Sequence, residues 1–460
     1  MKTKVTLLLL ALCASFTMSY GQEEEGGQNE DCANNLSIFD TNVKSKKLDD
    51  AYGPWMEVRE KCPKFHEAIY SRSRGQAILK NKITKSNGTE KVTFIKDHLK
   101  LYEQYNQYYP SKESKGKMLV DKGLMTYKYK KDLGATNDDV YKLFDDAFQN
   151  DRKNFTDAQA LYIYFSIEVD LFDAGKREAQ QLFDKYDDVK EKIELEIENH
   201  TGKLNKYVAK EEAGTTLSKR EASLKRFSEQ NLVAYDKVSG SIDTKIGNRA
   251  TCEVLIPLYQ KDFDTNKNDA QWLQRAMNRM FNKGCKEDPL FVKLVEQKNT
   301  IEPTANTTFY LYTITGEQKY LDQTIALEKD PLKKAKLYKN LANEFKSKGS
   351  YGKARQYYRE ALKLNPSDGS PYLRIASMYA NSAKNCGDSP FNQRAVFWLA
   401  ASEARKAGRA DTRLKKVAAQ NAESYSAKAP SKSDIFSADM GGKTIKVGCW
   451  IGSSVTVPKS

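Results

Sequence analysis

The chain is poor in histidine. In 460 residues there are three, His66, His98 and His200, and none stands near a serine or cysteine in a pattern that would pair a nucleophile with its base. The GxSxG elbow, the HExxH zinc motif, the P-loop and the Rossmann glycine pattern are all missing. No C-x-x-C accompanies the histidines, which leaves no zinc-ligand set. The expectation is a protein that is not an enzyme and has no catalytic, cofactor-binding or metal residue. Proline and glycine are also scarce, with 12 and 25 residues, and almost nothing before the C-terminus alternates at period two, so an all-β architecture is excluded. After the first 21 residues no apolar run approaches the roughly 20 residues that span a bilayer.

What is abundant is charge and large packing groups. Charged residues make up 30% and hydrophobic residues 39%, with 26 Tyr and 19 Phe. Many thin helical layers, each wet on its outside, need this balance, and 460 residues is long for one compact core. The formal charge is +14, an excess that favours anionic partners. Carboxylates such as Asp187, Asp188, Glu191 and Glu194 sit at helical spacing among lysines and read as solvated ion pairs.

Residues 1–21 read as a secretory signal, with Lys2 and Lys4 ahead of the apolar stretch Val5 to Cys13 and Gly21 before Gln22. Export implies an oxidising compartment. Removal of Cys13 with the signal leaves six cysteines. Cys32 and Cys62, then Cys252 and Cys285, each span about one helical hairpin, and Cys386 and Cys449 pair by exclusion. A crosslink closing such a hairpin is worth roughly 3 to 4 kcal/mol in the chain-entropy model. The N-x-S/T triplets at Asn35, Asn87, Asn154, Asn199 and Asn306 would be glycosylation acceptors in a eukaryotic secretory pathway.

Along the chain, 22–31 is acidic and devoid of apolar residues, and reads as a disordered leader. Residues 32–186 read as degenerate helical hairpins, with Ala51, Trp55, Val58 and Pro63 at the spacing of a second helix and Thr136 with Asp139 as a capping box. Residues 187–250 are densely charged and predict long helices projecting from the array, a solvated connector or a partner-binding arm. Hairpins resume at 251–331. Residues 332–426 hold the clearest repeats and a capping helix near Asp411 to Tyr425, with an insertion at 381–392. In 427–460, Thr444 to Val447 and Ser454 to Val457 predict a small β-ribbon fastened by Cys449, with Trp450 as packing anchor.

From Ala335 to Asp368, Tyr338, Leu341, Ala342, Phe345, Gly349, Tyr351, Ala354, Tyr358, Ala361 and Pro366 fall at the spacings of the tetratricopeptide repeat, which this stretch resembles. Tyr372, Ile375, Ala376 and Tyr379 restart the pattern. The resemblance implies an all-α solenoid of helical hairpins whose concave surface holds a protein or peptide. On that surface it places Lys336, Lys339, Asn343, Lys346, Arg374 and Asn381, with Lys339 and Asn343 at positions resembling a carboxylate clamp. The whole layout, with the stretch SMYANSAKNCGDSPFNQRAVFWLAASEARKA and the tail GCWIGSSVTV, looks like the exported tetratricopeptide proteins of Bacteroidetes envelopes. That likeness implies a scaffold in envelope assembly, such as secretion or surface machinery, periplasmic or peripherally attached, with no nucleic acid as partner. The alternative is a basic module for an anionic envelope polymer or lipid head groups, built on Arg405, Lys406, Arg409, Arg413, Lys415 and Lys416.

Overall fold

A computed structural model describes residues 22–459; the signal expected over 1–21 lies outside them. The chain divides into two compact units, Met1–Glu178 and Ala179–Ser460. The fold is all-α, and among the described residues the sole sheet is a two-stranded C-terminal ribbon. No described helix is long and apolar enough to cross a membrane.

The first unit carries α1 (Gln22–Lys44), α2 (Leu48–Lys61), α3 (Gly75–Lys85), α4 (Gly88–Tyr108), α5 (Lys115–Lys128), the short α6 (Lys130–Leu133), α7 (Asn137–Asp151) and α8 (Ala158–Asp173). Residues 22–31 belong to α1, where composition predicts a disordered leader. The absence of apolar residues argues against core contacts but does not forbid helix. Here the segment prolongs a helix anchored from Cys32 onward, and glutamates near a helix N-terminus favour it. The Thr136 and Asp139 capping box is formed, each side chain meeting the other's backbone N–H. Phe39, Ala51, Trp55, Ile69, Tyr70, Ile78, Leu79 and Leu101 make the core of the first hairpins.

His98 lies within this unit, fully buried against Tyr102 at 4.8 Å between rings, and neither ring nitrogen has a hydrogen-bond partner. Burial, helped by the cations of Lys80 and Arg59, pushes its pKa down to about 3. The unfolded chain therefore takes up a proton below about pH 6.5 that the folded chain refuses, so stability is complete above that pH and falls as pH drops towards 3. We expect about 2 kcal/mol to be lost at pH 5 from this residue. A His98→Met chain, melted beside the native one at neutral pH and at pH 5, should lose less on acidification; parallel losses would refute the assignment.

The second unit runs through α9 (Ala179–Glu212), α10 (Lys219–Ile246), α11 (Cys252–Asn266), α12 (Ala270–Asn282), α13 (Pro289–Ile301), α14 (Ala305–Thr315), α15 (Gln318–Leu327), α16 (Pro331–Ser347), α17 (Tyr351–Leu364), α18 (Ser370–Cys386), α19 (Pro390–Ala410), α20 (Lys415–Lys428) and α21 (Lys432–Ser437). Three prolines of this unit stand at helix starts: Pro289, Pro331 and Pro390 each follow a capping Asp288, Asp330 or Ser389, where the missing N–H costs nothing. Gly316 and Gly349 end α14 and α16 with positive φ, 74° and 73°, a conformation that side chains resist. No insertion separates α18 from α19. Both helices are long, and the tight link between them holds Gly387, where a Cβ would lie 2.3 Å from the Gln393 nitrogen.

All three cysteine pairs are bonded. Cys32 with Cys62 and Cys252 with Cys285 close the open ends of α1–α2 and α11–α12, with Cα separations of 6.3 and 5.6 Å. Cys386 with Cys449, 5.2 Å apart at Cα, ties the ribbon to the end of α18. The ribbon pairs β1 (Thr444–Val447) with β2 (Ser453–Thr456) antiparallel, Thr444 opposite Thr456. Its Ile445 and Val457 close on Ala395 of α19 and Ile435 of α21. Trp450 meets Tyr351 edge-on and Tyr379 at a tilt and donates to Ser382 Oγ at 2.9 Å, as a packing anchor does.

Candidate functional site

The charged stretch does not project from the array. Helices α9 and α10 pair antiparallel, with Lys190 Nζ donating to Ser239 and Asp243 and the Tyr186 hydroxyl to Asp243. The pair lies back on the second unit. Helix α9 crosses the side on which α12, α14, α16 and the start of α18 lie. On α12, Arg275 donates to Asp188 at 2.7 Å and to Glu191 at 2.8 and 2.9 Å, and Arg279 meets Asp187, the Tyr259 hydroxyl and the Phe183 carbonyl. On α16, Lys336 reaches Glu194 at 3.3 Å. Further along, Asn205 accepts from the Ser367 N–H at 3.3 Å. Carboxylates that read locally as solvated ion pairs therefore face guanidinium groups and an ammonium far along the chain.

Two polar cavities flank α9. One, of about 410 Å³, is lined by Glu194, Glu198, Lys336, Lys339, Asp368 and Arg413 among others. The second, of about 490 Å³, shares Glu194, Glu198 and Lys336 and adds Asn278, Tyr310 and Lys333. In the first, Arg413 binds Asp411 through two nitrogens and Asp236 at 2.7 Å. Burial pulls the Arg413 pKa down, but the two carboxylates outweigh it and the net shift is upward. Burial raises Asp236 despite that arginine. Asp368 is buried too, yet the Lys339 ammonium and the Ser370 hydrogen bonds hold it below its ordinary value.

The six residues expected on the partner-binding surface divide into two groups. Lys336 and Lys339 are engaged by the chain itself, the first by Glu194 and the second by Asp368 Oδ2 at 2.6 Å. Asn343, Arg374 and Asn381 are exposed and Lys346 is half-buried. The Asn343 carbonyl accepts from the Tyr358 hydroxyl at 2.6 Å, which leaves its amide N–H groups outward. Arg374 lies close enough to that hydroxyl to oppose the burial that lifts its pKa to about 12. Among the described residues neither Lys346 nor Arg374 pairs with a carboxylate. The ammonium and amide of the expected clamp are thus separated in role, since Lys339 already holds a carboxylate.

The basic cluster at the end of α19 is likewise broken up. Arg413 is internal, Lys406 pairs with Glu403 at 2.7 Å, and Arg405 donates to Ser426. Arg409, Lys415 and Lys416 are exposed. Sequence reasoning passed over Arg275, Arg279, Asp236 and Asp368. A signal existed for the first two: an i,i+4 arginine pair on the face of α12 that carries Ala276 and Met280 has no local acid to answer it.

Residues 335–368 match the tetratricopeptide repeat family model, which covers α16 and α17. No curated protein matches the chain. Among solved structures, yeast Tom70 aligns over 88% of this chain and 82% of its own at 13% identity, with a TM-score of 0.23. A circular tandem repeat protein with novel repeat topology and enhanced subunit contact surfaces aligns over 87% and 94% at 10% identity, with a TM-score of 0.17.

Proposed function

We propose that this protein is a non-enzymatic scaffold, exported and periplasmic or peripherally attached to a bacterial envelope, which holds a protein or peptide partner in an envelope assembly such as secretion or surface machinery. The tetratricopeptide match over 335–368 supports a binding role. One observation carries the choice of surface. On the side of α16 and α18 that α9 partly covers, Lys336 and Lys339 are neutralised from within, whereas Lys346 and Arg374 stand without a carboxylate beside the amides of Asn343 and Asn381. Two cations and two amides offer N–H donors in need of acceptors, so the partner they suit offers carboxylates.

The test is capture from native envelopes after mild crosslinking, using the full chain and a Lys346→Glu/Arg374→Glu variant. Loss of two charge-assisted contacts at roughly 1.5 kcal/mol each should lower recovery of the captured protein by at least about ten-fold. Recovery that the double variant leaves unchanged removes this surface. The exposed Arg409, Lys415 and Lys416 keep a second reading in play, the binding of an anionic polymer; recovery that follows those three residues instead would favour it.

A further inference from the structure

The second of the two cavities beside α9 is furnished with amides more than with charges. Its volume of about 490 Å³ lies within the range of small-ligand pockets, about 300 to 1,000 Å³. Gln274, Asn278 and Phe281 reach it from one stripe of α12, Asn340 from α16 and Glu198 from α9, all five half-buried. Its charges are largely answered from within. Glu194 pairs with Lys336 at 3.3 Å and Glu328 accepts from the Asp330 N–H. Burial raises the Glu198 pKa, but Lys333 and Lys336 lie close enough to oppose the rise. An anion would meet three carboxylates in this lining and a cation two ammonium groups, so the space suits an uncharged ligand. The amides are not answered. Asn278 Oδ1 accepts from Gln274 Nε2 and from the Tyr310 hydroxyl, both at 2.9 Å, which holds the carboxamide in one orientation while its two N–H donors have no partner among the described residues. The Gln274 carbonyl oxygen, both ends of Asn340 and the Glu198 carboxylate likewise have no hydrogen bond there.

We propose that this cavity binds a neutral saccharide of one or two rings, with Asn278 donating to one hydroxyl, Glu198 and the Gln274 carbonyl accepting from others, Asn340 doing both, and the Phe281 ring against a C–H face of the sugar. A hydroxyl donates and accepts from a single atom, so a polyol can meet unpaired donors and unpaired acceptors together. Their placement favours a sugar over a peptide. An extended main chain presents its N–H and C=O groups along two opposite edges, whereas the free groups here come from three helices around one space. A pyranose ring carries hydroxyls all round its rim and apolar C–H groups on its faces. Phe281, its ring 4.6 Å from that of Tyr310, supplies the flat apolar wall on which such a face can lie. This site shares no residue with the surface proposed for protein partners, so either can fail without the other.

The full chain, its disulfides intact, is titrated with maltose, cellobiose and N,N′-diacetylchitobiose, and with N-acetyl-tetraglycine amide as the peptide probe, binding being followed by saturation-transfer NMR. At least one disaccharide is expected to bind with a Kd of about 1 mM or tighter, and the peptide is not. Glu198→Ala should weaken that binding about ten-fold or more, the worth of a hydrogen bond to a charged group, and Asn340→Ala about five-fold. Neither side chain bonds to the rest of the fold, so both variants should melt with the native chain. Lys346→Glu/Arg374→Glu should bind the sugar as the native chain does. No binding of any of the three disaccharides, binding of the tetraglycine amide in their place, or sugar binding that Glu198→Ala and Asn340→Ala both leave unchanged would overturn the proposal.

Discussion

Replacing Arg279 by alanine is expected to cost the second unit about 3 to 5 kcal/mol, the range for a buried ion pair that loses one partner. Both groups are nearly out of water, Arg279 4% and Asp187 9% exposed. Arg279 also bonds the Tyr259 hydroxyl and the Phe183 carbonyl and lies 4.7 Å over the Phe183 ring. Its removal strands an acid, a hydroxyl and a carbonyl together. Burial already lifts Asp187 to about pH 7, against the pull of Arg279. Without the guanidinium the carboxyl rises further and folds in its protonated form. A folded pKa above the unfolded one gives stability that is whole at low pH and lost as pH rises through the folded value. The variant should therefore be hurt more at pH 8 than at pH 5. Arg275→Ala is the control: its partners Asp188 and Glu191 are partly exposed, and the loss should stay near 1 kcal/mol. Hydrogen exchange of α9 and α12 reads both. A loss at Arg279 no larger than that at Arg275, or one indifferent to pH, would show that α9 is not anchored by this pair.

That anchor marks where the sequence stops being legible. Helix after helix could be read from periodicity, the β-ribbon from its short alternating runs, and the repeat at 335–368 from small Ala342 and Ala354 set against Tyr338, Phe345 and Tyr358. Each of those signals is local. The hairpin disulfides were legible for the same reason, because a spacing near 30 residues brings two helix ends together. Residues 187–250 show the limit. Their charge pattern fixes that they are helical but not what they lie against, since Asp187, Asp188 and Glu191 find their arginines 84 to 92 residues away. A carboxylate beside a lysine at i+4 looks the same whether it faces solvent or another helix. The same limit meets two of the six residues expected on the partner-binding surface: Lys336 pairs with Glu194 of α9 and Lys339 with Asp368, contacts that no local pattern announces.

The other large effect is expected at Gly75, in the first unit. A Cβ there would lie 1.8 Å from the Ile69 carbonyl oxygen and 2.8 Å from Trp55 Nε1, the two atoms of a buried hydrogen bond 2.8 Å long. Real Cβ atoms do not approach a backbone oxygen so closely, and the oxygen cannot rotate away as a side-chain end could. The start of α3 must move off the turn at Glu67–Ile69, or Trp55 must give up its acceptor. Trp55 is wholly buried and carries Arg59 over its ring at 5.0 Å, so its N–H has no water to turn to. Overpacking of a tight site costs about 1 to 3 kcal/mol and an unsatisfied buried donor a similar amount, so Gly75→Ala should destabilise the unit by about 3 to 5 kcal/mol. Gly240→Ala supplies the contrast. It sits on the exposed side of α10 with no other element within 4 Å of the new atom, and should stabilise by about 0.5 to 1 kcal/mol, the helical preference of alanine over glycine. Thermal melts followed by tryptophan fluorescence would separate the two substitutions by sign. If Gly75→Ala melts with the native chain, the close approach of α3 to the Trp55 hydrogen bond is not a feature of the folded protein.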